Sequence, residues 1–422
     1  MRLMHHRDVL SSRQNSLGYR QSGMSIDDSI PAPTPTERPP VVLQVLPSLV
    51  SGGAERGTVE LAGALVEAGW VSYVASGGGP LERDVTRSGA ANLTLPLASK
   101  NPLVMRRNAA SLVRLIRQLG VDIVHARSRA PAWSACAAAR VTGRPFVTTF
   151  HNAYGARTAL KRRYNSVMAR GDRVIAISRF VADHAANVYG VGYDRLRTIP
   201  RGVDFEIFDP RRVGAQRMVD LARQWRLPDG MPVVMLPGRL TRWKGGLDFI
   251  AAIAKLGRRD ICCVLAGSEQ RRGFRRELEA AIRNSGLAGV FRIAEECRDM
   301  PAAYMLADVV VSASSDPEGF GRVIIEAQAM GRPAIATDHG GACETIVPRV
   351  TGWLVPPRDP AALAAAIEEA LSLTEDERRN LARRAMAHVA VRYTRQAMCA
   401  RTIQVYEELL FPNSSDVDVA AQ

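Results

Sequence analysis

The chain has few aromatic residues, 6% of its 422, and no run of apolar residues long enough to cross a bilayer, for which about 18–20 are needed. None of its six cysteines, Cys136, Cys262, Cys263, Cys297, Cys343 and Cys399, sits in a C-x-x-C pair. That excludes a zinc ribbon or a dithiol redox motif and suggests reduced core thiols in a cytosolic protein. The N-terminal arginines Arg2, Arg7 and Arg13 precede no apolar core, so the start does not read as a secretory signal, and the expected location is the cytoplasm. Acidic residues are also in deficit. Fifty-six Lys and Arg stand against 42 Asp and Glu, a formal net charge of +14. Such an excess points to an anionic partner: nucleic acid, anionic lipid or a phosphorylated substrate. The low aromatic content and the lack of any helix-turn-helix or zinc pattern argue against nucleic acid.

What is present is an alternation of short aliphatic strands with helices. Residues 1–40 are polar and end in a proline-rich stretch, which predicts a disordered leader; 413–422 reads as a disordered tail. Between them, strands are expected at Val41–Leu46, Val71–Ala75, Leu93–Leu97, Val121–His125, Pro145–Phe150 and Arg173–Ile177. A second series is expected at Pro232–Leu236, Ile261–Ala266, Val290–Ile293, Asp308–Ser312, Pro333–Ala336 and Trp353–Val355. Helical stretches such as Asn101–Leu119 and Arg157–Met168 lie between. Two successive α/β series predict an α/β protein of two doubly wound, parallel-sheet domains, with ligands at the carboxyl ends of strands. The boundaries so read are 41–205 for the first domain, 206–231 for a linker and 232–392 for the second domain. A final helix over 393–412 is placed to pack back on the first domain.

The segment from Pro317 to Pro333, PEGFGRVIIEAQAMGRP, carries the most chemistry. Gly319 and Gly321 are expected to open a helix running to about Met330. A helix start offers unpaired N–H groups and a positive dipole end, which suits a phosphate. Glu318 lies before the helix and Glu326 lies eight residues on, a little under two turns inside it. A diphosphate held between them leaves one carboxylate for hydroxyls at each end.

This segment resembles the E-x7-E motif of retaining glycosyltransferases of family 4, which have the GT-B fold: two Rossmann-like domains facing a cleft. Gly238-Arg239-Leu240-Thr241-Arg242-Trp243-Lys244-Gly245 resembles that family's G-R-x-x-x-x-K-G segment, and Ser51-Gly52-Gly53-Ala54-Glu55 resembles its glycine loop. Ile199-Pro200-Arg201-Gly202-Val203-Asp204 resembles its I-P-N-G-V-D turn, with Arg201 where asparagine is usual, and Ala176-Ile177-Ser178 resembles its A-V-S segment. The resemblance spans roughly Val41 to Leu410.

It implies transfer of a hexose, of mannose or glucose type, from a GDP- or UDP-sugar to a lipid-linked or oligosaccharide acceptor in cell-envelope, lipopolysaccharide or exopolysaccharide synthesis. It further implies that His151, Glu318, Lys244 and Arg239 form the catalytic set. Gly53, Gly238, Gly267, Gly319, Phe320, Gly321, Arg322, Val323 and Glu326 would surround the donor. Glu318 is assigned to the sugar and Glu326 to the ribose, and neither to proton transfer. No metal or other cofactor is expected; Asp416-Val417-Asp418 is read as chance. Gly267 and the Glu295–Asp299 loop stand where family members contact the base, whose identity stays open. His125, Arg157 and Lys161 are candidates for the acceptor side, His125 with a core role equally open. Arg106, Arg107, Arg114, Arg117, Arg157, Lys161, Arg162 and Arg163 form a candidate surface for anionic lipid, which would place the enzyme peripherally on the inner face of the membrane. A sugar-nucleotide epimerase on the same fold is the competing enzyme reading, and a nucleic-acid-binding protein the remote one.

Overall fold

The computed structural model describes residues 38–50, 52–269, 273–295 and 297–412. The leader (but for its last residues), the tail and the Asp416-Val417-Asp418 triplet lie outside the described residues.

Thirteen strands among the described residues form two all-parallel sheets. The first is built from β1 (Val41–Val45), β2 (Val71–Ser76), β3 (Ala91–Thr94), β4 (Ile123–Ala126), β5 (Phe146–Phe150), β6 (Arg173–Ala176) and β7 (Leu196–Thr198), in the order β3-β2-β1-β4-β5-β6-β7. The second contains β8 (Val233–Pro237), β9 (Cys262–Ala266), β10 (Phe291–Ala294), β11 (Val309–Ser312), β12 (Ala334–Thr337) and β13 (Trp353–Val355), in the order β10-β9-β8-β11-β12-β13. Both orders reverse beside their first strand, between β1 and β4 and between β8 and β11. These are the switch points where crevices open in such sheets.

Helices of the first half are α1 (Gly53–Glu67), α2 (Glu82–Arg87), α3 (Pro102–Gln118), α4 (Arg129–Thr142), α5 (Ala159–Asn165) and α6 (Arg179–Tyr189). The second half has α7 (Ala215–Trp225), α8 (Gly246–Leu256), α9 (Phe274–Asn284), α10 (Met300–Leu306), α11 (Arg322–Ala329), α12 (Pro360–Leu371), α13 (Glu375–Arg392) and α14 (Arg395–Leu410). Central strands β1, β5, β8, β9 and β11 are buried at every residue, which is why they read as continuous aliphatic runs rather than alternating ones.

Several expectations shift. The strand placed at Leu93–Leu97 is β3, Ala91–Thr94, because Pro96 cannot continue a ladder. The edge strand β7, three residues long, escapes the sequence pattern. Helix α1 starts at Gly53 rather than near Gly57, so Gly53 is helical and not part of the loop. The stretch expected to be one helix over Arg157–Met168 is α5 followed by a 3-10 turn, Ser166–Arg170.

Two chain crossings join the halves side by side. Val203 N donates to Tyr393 O (2.8 Å), Arg395 N donates to Val203 O (2.8 Å), and Val203 pairs with Thr394 as an isolated parallel bridge. After this second crossing α14 lies against α1 of the first half. Its Glu408 accepts from Arg173 Nε (2.7 Å) and Arg197 Nη2 (2.7 Å) on β6 and β7. Among the described residues no helix is long and apolar enough to cross a membrane.

Candidate active site

The second half builds its site from three loops at the carboxyl ends of β8, β11 and β12. Gly245 ends the 3-10 turn Arg242–Lys244 at φ +75°, and a Cβ there would lie 1.7 Å from Ala313 O. Only glycine lets the Lys244 loop settle onto the end of β11. Ser315 N donates to Trp243 O (2.8 Å), joining the two loops. The third loop holds the second from behind: Thr337 Oγ1 donates to Ser314 O (2.9 Å), and His339 Nε2 lies 2.7 Å from the same oxygen.

This packing brings Lys244 and Glu318 into a direct ion pair, Nζ to Oε1 at 2.7 Å, with both side chains largely buried. Ser312 Oγ donates to the same oxygen (3.2 Å), and Ser314 Oγ also donates to it. Burial alone pushes the Glu318 carboxyl upward. Lys244 and the two serine hydroxyls outweigh it and hold the group below its ordinary value. All three donors converge on Oε1, which leaves Oε2 for a ligand hydroxyl. Ser312 and Ser314 were not among the expected site residues; their spacing, three and five residues after the strand's start at Val309, was the available signal.

Glu326 is placed differently from expectation. Helix α11 begins at Arg322, after Gly321 at φ +82°, so Glu326 lies little more than one turn inside it. Its Oε2 accepts from Tyr304 Oη (2.9 Å) on α10, and its Oε1 from Arg322 Nε (2.9 Å). Arg322 reaches across to the first half, where its Nη2 donates to Glu60 Oε1 (2.6 Å) on α1. Expected beside the donor, Arg322 therefore serves as a buried clasp between the halves. The two carboxylates hold its guanidinium protonated well above the ordinary arginine value despite burial. Phe320, also expected at the donor, packs its ring edge-on against Tyr393 with centroids 5.5 Å apart, at 4% exposure. Val323 is partly buried against the core.

A Cβ on Gly319 would lie 2.6 Å from His151 O and 3.2 Å from Asn152 Cα, so the missing side chain is what lets the His151 loop approach the Glu318 loop. Ser178 Oγ donates to Gly319 O (2.6 Å) and caps α6 by accepting from Val181 N (3.1 Å). Glu344 accepts from Arg179 N (3.0 Å) and Phe180 N (2.8 Å), a carboxylate at the α6 N-terminus from the opposite half.

His151 follows β5 at this junction. Its Nε2 is shielded from solvent and has no hydrogen-bond partner among the described residues. Burial, then Arg127, Arg201 and His125, hold it well below the ordinary imidazole value, so it is neutral at physiological pH. His125 does not reach the acceptor side. It is fully buried, with Nδ1 2.6 Å from Tyr406 Oη on α14 and Nε2 2.7 Å from Thr149 Oγ1. Both ring nitrogens are spent on fixing α14 to the sheet, which settles the open choice in favour of the core.

Arg239 is exposed after β8 and makes no ion pair among the described residues. Gly238 lies beside the Lys244 side chain, and a Cβ on Gly267 would lie 1.9 Å from Gly238 O, so Gly267 serves close backbone packing between the ends of β8 and β9. Gly53 faces open space. Glu295 pairs with Arg275 (2.7 Å) at the surface. Arg157 and Lys161 are exposed around the start of α5, with no ion pair among the described residues.

Comparison with known proteins agrees with this arrangement. The Glycosyltransferase Family 4 profile matches residues 51–207, and that of Glycosyl transferases group 1 matches 220–388. The D-inositol 3-phosphate glycosyltransferases of Xylanimonas cellulosilytica and Paenarthrobacter aurescens are each 32% identical to the chain. The first match covers 50% of this chain and 51% of the relative, the second 56% and 57%. The chain thus spans about half the length of the curated relatives it matches. A glycosyltransferase of known structure from Rickettsia africae is 36% identical, with TM-score 0.82, over 89% of this chain and 100% of that one. The Anabaena protein Alr3699/HepE, solved in complex with UDP and glucose, shares the fold at 21% identity, with TM-score 0.78, over 87% and 100%. The two profiles in tandem, the full-length likeness to the Rickettsia enzyme and the two-sheet cleft show that the chain belongs to the family 4 glycosyltransferases, with the GT-B fold.

Proposed function

We propose that the enzyme moves a hexose from a nucleoside diphosphate sugar to a hydroxyl of a lipid-linked or oligosaccharide acceptor, with retention at the anomeric carbon. The observation that carries this reading is the Lys244–Glu318 pair, whose three donors on Oε1 leave Oε2 turned to a ligand, set against the His151 loop through Gly319. Lys244 and Arg239 supply fixed positive charge for the diphosphate, Glu318 accepts from sugar hydroxyls, and Glu326, oriented by Tyr304 and Arg322, accepts from the ribose. UDP-glucose is the donor to try first, because Alr3699/HepE was also solved in complex with it.

In this reading the acceptor oxygen forms its bond to the anomeric carbon on the face the diphosphate leaves. The carbon–oxygen bond to the β-phosphate breaks, and the acceptor proton passes to the departing phosphate oxygen. Neither glutamate forms a covalent intermediate. Neutral His151 holds a hydroxyl near the centre through its free Nε2. The protein's contribution is positioning and charge.

An acceptor on a membrane suits one exposed face. Leu103, Arg106 and Arg107 on α3 and Leu160, Lys161, Arg162 and Arg163 on α5 are all exposed. Both helices are tied to α4: Ser134 Oγ donates to Met105 O (2.9 Å) and Trp133 Nε1 to Tyr164 O (3.1 Å). Apolar tips among cations fit an anionic lipid surface at the inner face of the cytoplasmic membrane.

The test is to incubate the enzyme with UDP-glucose and candidate acceptors, following UDP release and the anomeric proton of the product by NMR. Acceptor-dependent UDP release with an α-linked product is expected. Acceptor-independent release, or a β-linked product, would contradict the reading. For the surface, salt-sensitive binding to phosphatidylglycerol vesicles is expected, and equal binding to neutral vesicles would refute it.

A further inference from the structure

The first half holds two arginines that are almost wholly buried and form no ion pair among the described residues. Arg127 follows β4, is 4% exposed, and has no hydrogen-bond partner for Nε or Nη2 among the described residues. Arg201, in the turn after β7, is 5% exposed; its Nη2 donates to Gly53 O (2.6 Å), a neutral oxygen at the start of α1. Room for it is made by Gly57, where a Cβ would lie 1.6 Å from Nη2. The two guanidiniums line one narrow cavity with Gly57, Thr149, Ile177 and Met398. The nearby carboxylate, Glu60, is engaged through Oε1 by Arg322 at 2.6 Å; its Oε2 has no partner among the described residues, and its charge partly offsets the burial of both arginines. Burial, with each other's charge added for Arg201, lowers both arginines from their ordinary value, Arg201 to about 9. Two buried like charges are costly unless something completes them. Both charges also help to lower the His151 imidazole.

We propose that Arg127 and Arg201 recognise an oxyanion, a carboxylate or phosphoryl group carried by the transferred sugar or by the acceptor, so that the enzyme selects a substrate with a negative charge besides the donor's diphosphate. A planar guanidinium such as that of Arg127, whose Nε and Nη2 have no partner among the described residues, matches an oxyanion in two-pronged fashion, as a lysine would not. The turn that Arg201 occupies resembles one that carries asparagine, a neutral residue that could not do this. The inference rests on the donor reading above, and its test keeps the two apart.

The protein is first saturated with UDP, so that added phosphate cannot occupy the diphosphate site. Inorganic phosphate should then raise the Tm of the wild type above chloride at matched ionic strength. Arg127→Gln and Arg201→Asn should bind UDP as the wild type does and lose the phosphate effect, with phosphate affinity down about tenfold or more in each. Arg127→Lys, which keeps the charge, should retain part of it. Calorimetry with UDP-glucose and UDP-glucuronic acid locates the group. Tighter binding of the uronate by the wild type, abolished in Arg127→Gln, assigns it to the donor sugar. Equal binding, with phosphate still stabilising the UDP-glucose complex, assigns it to the acceptor. If phosphate does not stabilise the UDP-saturated wild type and the uronate has no arginine-dependent advantage, the proposal is overturned, whether or not the variants fold. If the wild type fails to bind UDP, the donor reading falls instead, and the same phosphate titration without UDP, compared across the variants, still decides the arginine pair.

Discussion

The two halves of the enzyme treat buried charge in opposite ways. In the second half Lys244 meets Glu318, and Arg322 meets Glu326, each at hydrogen-bonding distance. In the first half Arg127 and His151 keep buried nitrogens with no partner among the described residues, and Arg201 donates to a neutral carbonyl oxygen. Paired charges fix a geometry before any ligand arrives. Unpaired ones keep a demand that only a ligand meets. On the proposed reading the second half is a preformed holder, and the first half a surface that discriminates.

The contrast breaks most visibly at Lys244. Lys244→Ala should lower kcat by about 100–1000-fold, in the range seen when one stabilising donor is removed from a reaction centre. Circular dichroism should report an intact fold; unchanged kcat would remove the phosphate assignment. Arg322→Met leaves Glu60 and Glu326 buried without their common cation and should cost about 3–5 kcal/mol of stability, read by urea denaturation. A loss below about 1 kcal/mol would show that the clasp is solvated in solution.

A sharper division falls between the two histidines of the first half. His125→Phe strands Thr149 and Tyr406 hydroxyls and should cost about 1–3 kcal/mol while leaving kcat/KM nearly unchanged. His151→Ala should do the reverse, lowering kcat with little change in Tm. Identical behaviour of the two would erase the distinction between core and site.

Their titration gives a pH signature. His125, His151 and His388 are all depressed by burial first, so the unfolded chain takes up protons that the folded chain refuses. Stability conferred by keeping them neutral is therefore present above an unfolded imidazole value of about 6.5 and is lost as pH falls below it toward the depressed folded values. Each histidine contributes a slope of up to about 1.4 kcal/mol per pH unit in that window. Tm measured from pH 7.5 to 5.5 should fall, and less steeply in His125→Phe. The smallest effect is expected at Glu408. Its partners are about a quarter to a third exposed, and Glu408→Gln should cost under about 1 kcal/mol.

Strands β1, β5, β8 and β9 were legible because a parallel sheet buried on both faces leaves no polar alternation to confuse the reading. β7 was not, because three residues carry no period. Glu318 and Glu326 were legible as a motif, since their spacing is set by one loop and one helix, and Lys244 was legible in a separate loop motif after β8. Their partners were not: Glu60 lies 262 residues from Arg322 and Tyr406 lies 281 from His125, and no local pattern encodes such pairings. Gly319 was read as a phosphate neighbour because glycine signals close approach without saying to what. The structure supplies the answer, the His151 carbonyl. Arg201 stood out only as a departure from a familiar turn, and Arg127 did not stand out at all.

The central claim is that the preformed charges of the second half hold a nucleoside diphosphate. Calorimetric titration of UDP into the wild type and into Lys244→Ala tests it most directly. The account predicts saturable one-site binding by the wild type and affinity at least about tenfold weaker in the variant, the loss of one charge-assisted contact. Equal affinity in the two proteins, or no binding by the wild type, would contradict it.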